Sequence, residues 1–182
     1  ARKAGRILAV TASEDKNKVI REASNNILKQ KSSILDANKK DIQAATEKGL
    51  SGALIDRLFL DEKRIEGMAK GLDEVAELPD PVGTTLSEWD RPNGLKISRI
   101  RVPLGVIGII YESRPNVTAD AGGLCLKSGN SAILRGGSDT FNTSSVILNC
   151  FREGLVTVGL PPETLQAPPT TDRAAVGAML AM

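Results

Sequence analysis

The chain has 182 residues, of which 41% are hydrophobic and 25% charged, with a formal net charge of +2. That length suits one domain or a little more, and the charge is too small to argue for nucleic acid or an anionic membrane as partner. Histidine is absent, which removes the commonest general base and metal ligand and excludes a serine–histidine hydrolase or an ordinary zinc enzyme. Aromatics make up only 3%, so the core must be aliphatic and rich in alanine. No apolar run approaches the roughly 20 residues of a spanning helix, and no signal-peptide pattern opens the chain. Cys125 and Cys150 stand in apolar surroundings without metal-ligand spacing, which reads as buried free thiols in a reducing compartment.

Residues 1 to 80 are helical in pattern. Ile7, Leu8, Val10 and Ala12 read as the end of a first helix. Ser13–Glu14–Asp15–Lys16 offers an N-cap, after which Val19, Ile20, Ala23, Ile27 and Leu28 recur at helical spacing. The run from Ser32 reaches Asn38, where LDANKKD predicts a break. Asp41 to Lys48 follows as a short helix stopped by Gly49. Leu54, Ile55, Leu58 and Leu60 form another apolar stripe. Asp61 caps a helix with Ile65, Met68, Leu72 and Val75 inward, and Leu78–Pro79–Asp80–Pro81 ends it.

Residues 81 to 101 read as a connector and a hairpin arm. Asn93–Gly94 is a tight-turn signal, Leu95 to Ile100 alternates apolar with polar, and Trp89 lies on the opposite flank. Trp89 suits packing against a partner subunit or local packing, and the residues leave both open. Residues 102 to 182 then read as a parallel α/β unit. Val102 to Ile110 predicts a strand buried on both faces, and Val117 to Lys127 a small-residue helix stopped by Ser128–Gly129–Asn130. Ser131 to Leu134 is a second strand, Ser138 to Leu155 a helix, and Glu163 to Ala167 a weak third strand cut short by Pro168–Pro169. A last helix runs from Ala174 to Met182.

Ligands of such sheets sit at the carboxyl ends of the strands, so Glu112–Asn116 and Arg135–Ser138 should face one crevice. Arg135–Gly136–Gly137–Ser138 joins a strand to a helix. Its glycines would let backbone approach a ligand, the helix would offer unpaired N–H groups, and Arg135 a contact to phosphate or ribose. An ordinary turn with a surface arginine has the same residues. Arg114 would suit an anionic substrate group, and Asn116 would donate to a developing oxyanion or cap the following helix. Asp120, Lys127 and Asn130 read as structural or solvated.

The run VPLGVIGIIYESRPNVTADAGGLCLKSGNSAILRGGS, with ILDANKKDI, LIDRLFLDEKRIEGMAKGL, LPDPVG and PTTDRAAVGAML, resembles the glutamate-5-semialdehyde dehydrogenase (gamma-glutamyl phosphate reductase) family of the aldehyde dehydrogenase superfamily. The resemblance implies an oxidoreductase of proline biosynthesis, cytoplasmic and homo-oligomeric, that reduces gamma-glutamyl phosphate to glutamate-5-semialdehyde with NADPH. Glutamate 5-kinase is an implied partner; nucleic acid and membrane are not. The implied fold is a Rossmann-like parallel sheet of the aldehyde dehydrogenase type, preceded by a helical layer and a hairpin arm, and truncated before the catalytic domain. Glu112, Arg135, Gly136, Gly137 and Ser138 would serve the cofactor, Ser113 and Arg114 the substrate, and Asn116 the reacting centre. The family's catalytic cysteine forms a thioester and lies in a segment beyond this chain, and neither Cys125 nor Cys150 matches it. The family's usual histidine is replaced at Phe141–Ser144, and its usual Val–Pro after the third strand by Ala167–Pro168–Pro169. The other reading, from the hairpin and Trp89, is a non-catalytic dinucleotide-binding or assembly module.

Overall fold

A computed structural model describes residues 1–181. Five helices come first: α1 (Arg2–Leu8), α2 (Ser13–Lys29), α3 (Lys31–Glu47), α4 (Gly52–Leu58) and α5 (Glu62–Glu77). The antiparallel pair β1 (Thr85–Asp90) and β2 (Lys96–Ile100) follows, then β3 (Val106–Ile110), α6 (Asn116–Lys127), β4 (Ser131–Arg135), α7 (Phe141–Thr157), β5 (Leu165–Gln166) and α8 (Ala174–Leu180). The last three strands form one parallel sheet in the order β3-β4-β5, with Ile110 opposite Arg135 and Ala132 opposite Leu165.

The apolar spacing of α2 puts Val19, Ile20, Ala23 and Ile27 fully inside, where the helix packs against α5 and α7. A Cβ on Gly154 of α7 would stand 3.1 Å from the Val19 carbonyl, and one on Gly123 of α6 2.7 Å from Leu72. Small residues therefore let the helices cross closely. One continuous core joins Ile65 and Leu72 of α5 with Leu126, Leu134, Phe151 and Leu165, so the helical layer and the sheet stabilise each other.

Buried polar groups fasten this layer. Lys16 is 2% exposed and pairs with Asp80 at 2.5 Å. Lys127 donates to Asn17 Oδ1 at 2.6 Å and to the Ala76 carbonyl at 2.8 Å. Asn130 accepts from the Gly105 N–H at 2.9 Å. The structural expectation for Lys127 and Asn130 holds.

Several expectations need correction. α1 ends at Leu8, so Val10 and Ala12 lie beyond it. Ser13 is the first residue of α2 rather than its cap, which is Ala12. The break at LDANKKD does not exist, because α3 runs unbroken through it. Asn38 and Asp41, whose types suggest a turn, are buried mid-helix and bond to other elements: Asn38 Nδ2 donates to the Leu58 carbonyl at 2.8 Å and its Oδ1 accepts from the Leu60 N–H. Gly49 ends α3 with φ +75°, as the C-terminal position requires. Asp61 accepts from the Arg64 N–H at 2.7 Å and caps α5 as predicted.

The hairpin β1–β2 also forms, turning at Gly94 with φ +83°, and Trp89 is 41% exposed on it. β3 is shorter than predicted and not buried on both faces. Val106 and Ile110 are 37% and 49% exposed and Val102 and Leu104 lie outside the strand. The reason is that the core covers only one of its faces. Ile107 and Ile109 pack on the core, while on the other face Met179 of α8 reaches Gly108. β5 holds only two residues, because Pro162 opens a one-turn 3-10 helix that takes up Glu163 and Thr164. The helix predicted to Met182 spans Ala174–Leu180, and Met182 lies outside the described residues.

Candidate functional site

The site follows from the parallel register. β3 and β4 end side by side, and the Tyr111 N–H extends the ladder by donating to the Arg135 carbonyl at 3.0 Å. The two loops therefore leave one edge of the sheet together. A cavity of about 540 Å³ opens there, lined by Arg135, Gly136, Gly137, Ser138, Thr171 and Arg173, with Tyr111 and Ser113 beside them. The predicted crevice exists, and it brings Ser113 to the Arg135–Ser138 turn.

Arg135 is buried. One Nη2 proton goes to the Thr171 carbonyl at 2.9 Å, while its Nε has no partner among the described residues. The positive charge of Arg135 at the cavity wall is suited to an anionic oxygen. The glycine pair has a further reason beside ligand approach. A Cβ on Gly136 would lie 3.1 Å from the Tyr111 ring, and one on Gly137 would overlap Ser113 Oγ. Tyr111 is itself fixed by a 2.7 Å hydrogen bond with Thr118 Oγ1. Burial raises its phenol above the ordinary value, with that hydrogen bond opposing.

The helix after the turn does not leave its Asn142 and Thr143 amides free. It begins with a 3-10 turn over Ser138–Thr140, and α7 follows. Asp41 from α3 has taken its first amides. One carboxylate oxygen accepts from the Asn142 N–H at 3.3 Å, and the other accepts from the Thr143 N–H at 2.8 Å and the Thr143 hydroxyl at 2.6 Å. The expected unpaired N–H groups of this helix are satisfied by a protein carboxylate acting as its cap. Asp139 of the 3-10 turn is held by Lys48 at 2.9 Å.

The remaining predicted residues are spread out. Glu112 is exposed and turns toward α4, where its carboxylate meets Arg57 at 3.3 Å and Arg114 at 3.9 Å. It lines a neighbouring hollow of about 280 Å³ with Leu54, Arg57, Ser113 and Gly137. Asn116 is the first residue of α6, whose cap position is Pro115, so the capping alternative fails. Its amide donates to Asp120 Oδ2 at 3.1 Å. Both line a third hollow of about 380 Å³ with Arg57, Phe59 and Arg64. Arg114 is half exposed and lines none of these three. Sequence reasoning missed Tyr111, Asp41, Thr171, Arg173, Arg57 and Arg64. For Tyr111 a signal existed: it is the one tyrosine of the chain and stands at the end of the strand.

The thiols are inert. Cys125 and Cys150 are buried; burial pushes the Cys125 thiol up to about 11, and burial, with the Glu153 charge, pushes Cys150 up to about 12. Among the described residues no group of three or more potential acidic or cysteine ligands could hold a metal, and no helix is long and apolar enough to cross a membrane.

No family model matches the chain. Over 180 residues it is 60% identical to gamma-glutamyl phosphate reductase of Paramagnetospirillum magneticum, an alignment that covers 99% of this chain and 43% of that protein. The chain is a homologue of gamma-glutamyl phosphate reductase. The crystal structure of that reductase from Thermotoga maritima superimposes with a TM-score of 0.95 at 42% identity, over 98% of this chain and 43% of the other. A propionaldehyde dehydrogenase from Rhodopseudomonas palustris matches with a TM-score of 0.67 at 18% identity, over 100% of this chain and 38% of the other. That likeness supports the aldehyde dehydrogenase type of fold alone. The chain spans about 43% of the length of the reductase relatives it matches.

Proposed function

We propose that this chain is the cofactor-binding part of an NADPH-dependent gamma-glutamyl phosphate reductase, an oxidoreductase of proline biosynthesis that converts gamma-glutamyl phosphate to glutamate-5-semialdehyde. The observation that carries the reading is the cavity at the carboxyl edge of β3 and β4, with the Arg135 side chain on its wall, in a chain 60% identical to a reductase of that name. The residues fit a dinucleotide. Arg135 and Arg173 offer positive charge to phosphate, and Gly136, Gly137 and Ser138 offer backbone and a hydroxyl without a bulky side chain between. When bound, NADPH supplies the hydride. The chain's own share is to orient the cofactor through Arg135–Ser138 and to carry the substrate side through Ser113, Arg114 and Asn116, with Glu112 setting Arg57 between them.

In this reading residues 1–80 are the helical layer of the cofactor-binding domain, 81–101 a connector and oligomerisation arm, and 102–182 the Rossmann-like region. The enzyme is cytoplasmic, forms homo-oligomers and receives its acyl phosphate from glutamate 5-kinase. Neither Cys125 nor Cys150 is the nucleophile, since both are buried with raised thiol pKa values. The test is titration of the chain with NADPH, followed by Trp89 fluorescence and by calorimetry. Binding should saturate at one site and weaken about tenfold or more in Arg135→Ala, the loss expected for one charge-assisted contact. Absence of saturable binding refutes the proposal, and unchanged affinity in the variant removes Arg135 from the site.

A further inference from the structure

The hollow beside Asn116 carries chemistry that the cofactor does not use. Arg57 of α4, Arg64 of α5, and Asn116 and Asp120 of α6 all line it. Arg64 is held in place. Its Nη1 donates to the carbonyls of Asp56 and Phe59, both at 2.8 Å, its Nη2 donates to Asp56 Oδ1 at 2.9 Å, and its guanidinium lies 5.5 Å from the centre of the Phe59 ring. A guanidinium has five N–H donors, so Nε and one Nη2 proton remain for a ligand. Among the described residues Arg57 makes a single side-chain hydrogen bond, at 3.3 Å to Glu112, and Asp120 is bound only through Oδ2, by the Asn116 amide. Partial burial raises its carboxyl above the ordinary value, the Asn116 amide opposing, so the carboxylate gains from a cation brought beside it.

We infer that this hollow, of about 380 Å³, is the recognition site for the α-amino-acid end of the substrate: Arg57 and Arg64 take the α-carboxylate, and Asp120 takes the α-ammonium. The inference rests on the functional reading above and adds the part of the substrate remote from the reacting acyl group. Two arginines and one carboxylate lining one small hollow match a zwitterion better than either a simple anion or a simple amine. Arg57 also lines the hollow of Ser113 and Gly137, which in turn shares Ser113, Gly137 and Asp139 with the cofactor cavity. The three hollows are therefore neighbours in series, with the amino-acid end the one that shares no lining residue with the cavity of Arg135.

The probe is L-glutamate, titrated into the isotope-labelled chain and followed by amide chemical shifts. Saturable shifts should appear at Arg57, Arg64 and Asn116 with millimolar affinity. Glutarate, which lacks the ammonium, and 4-aminobutyrate, which lacks the α-carboxylate, should each bind about tenfold more weakly or worse. In Asp120→Asn the preference for L-glutamate over glutarate should vanish, and Arg57→Gln should lose about tenfold for both acids; Lys96→Gln, an exposed position on the β1–β2 hairpin, should change nothing. Equal binding of L-glutamate and glutarate, or an unchanged preference in Asp120→Asn, overturns the inference, as does the absence of L-glutamate shifts. NADPH titration of the same sample separates the two proposals. Cofactor binding without L-glutamate binding sinks only this one, and L-glutamate binding without cofactor binding sinks the cofactor reading.

Discussion

Replacing Asp41 by alanine tests whether one buried carboxylate ties α3 to the start of α7. Asp41 is 3% exposed and accepts from two backbone N–H groups, the Thr143 hydroxyl and the Asn142 amide. Losing a helix-capping carboxylate costs about 1–2 kcal/mol. The buried Thr143 groups left without an acceptor add about 1–3 kcal/mol. A loss of about 3 kcal/mol is expected, and in a chain of this size each kcal/mol lowers Tm by about 2–4 °C, so the shift should be about 6–12 °C. The assay is thermal unfolding followed by circular dichroism at 222 nm. Asp36→Ala is the control, because Asp36 is exposed and only 3.7 Å from Lys39; it should move stability by less than about 0.5 kcal/mol. Asp41→Ala also frees the α7 amides, so added inorganic phosphate should stabilise the variant more than the parent chain. A Tm within about 1 °C of the parent for Asp41→Ala refutes the capping argument. So does an equal response of both proteins to phosphate.

Gly137→Ala should cost about 1–3 kcal/mol, since the new methyl overlaps Ser113 Oγ. Ser113→Gly added to it should restore most of the loss in the same melt, and a double variant no more stable than Gly137→Ala would show that the clash lies elsewhere. Ellman's reagent should leave the native chain unlabelled while the denatured chain reacts at Cys125 and Cys150, because burial holds both thiols up at about 11 and about 12; prompt labelling of the native chain would refute this. Burial alone would raise the Asp80 carboxyl, but its hydrogen bonds to Lys16 and to the Val82 N–H outweigh it, and the folded value lies below the ordinary 3.8. Its contribution to stability is therefore complete above pH 3.8 and disappears as the pH falls through the lower folded-state value. Stability of Asp80→Asn should vary less across that acid window than that of the parent, and parallel pH profiles would remove Asp80 as a source of the dependence.

What was legible in the chain was what neighbours in sequence decide. The repeat Val19, Ile20, Ala23 and Ile27 predicts α2 because those positions share one helical face whatever they pack on. Asp61 reads as a cap because its acceptor, the Arg64 N–H, is three residues away. The turn at Asn93–Gly94 is likewise local, and so is the βαβ order that puts two loops at one sheet edge. Asp41 and Asn38 were misread because their partners are remote. The local preference of Asn and Asp for turns was the stronger signal, but Asp41 serves amides 101 and 102 residues onward.

The same distinction divides the candidate site. The Arg135–Ser138 turn could be placed from its strand and its glycines, yet the tightest reason for Gly137 is a side chain on another loop, Ser113. Asn116, like Ser113, was expected at the crevice because the whole Glu112–Asn116 turn follows the end of the strand. The helix begins between them, with Pro115 already at φ −59° and ψ −37°, and a residue starting a helix points by the phase of that helix rather than by the course of the loop. That phase sets Asn116 over Asp120, four residues on. Asn116 accordingly lines the hollow of Arg57 and Arg64 and not those of Gly137. One change of backbone conformation at Pro115 thus sends two residues of the same short segment, Ser113 and Asn116, to different hollows.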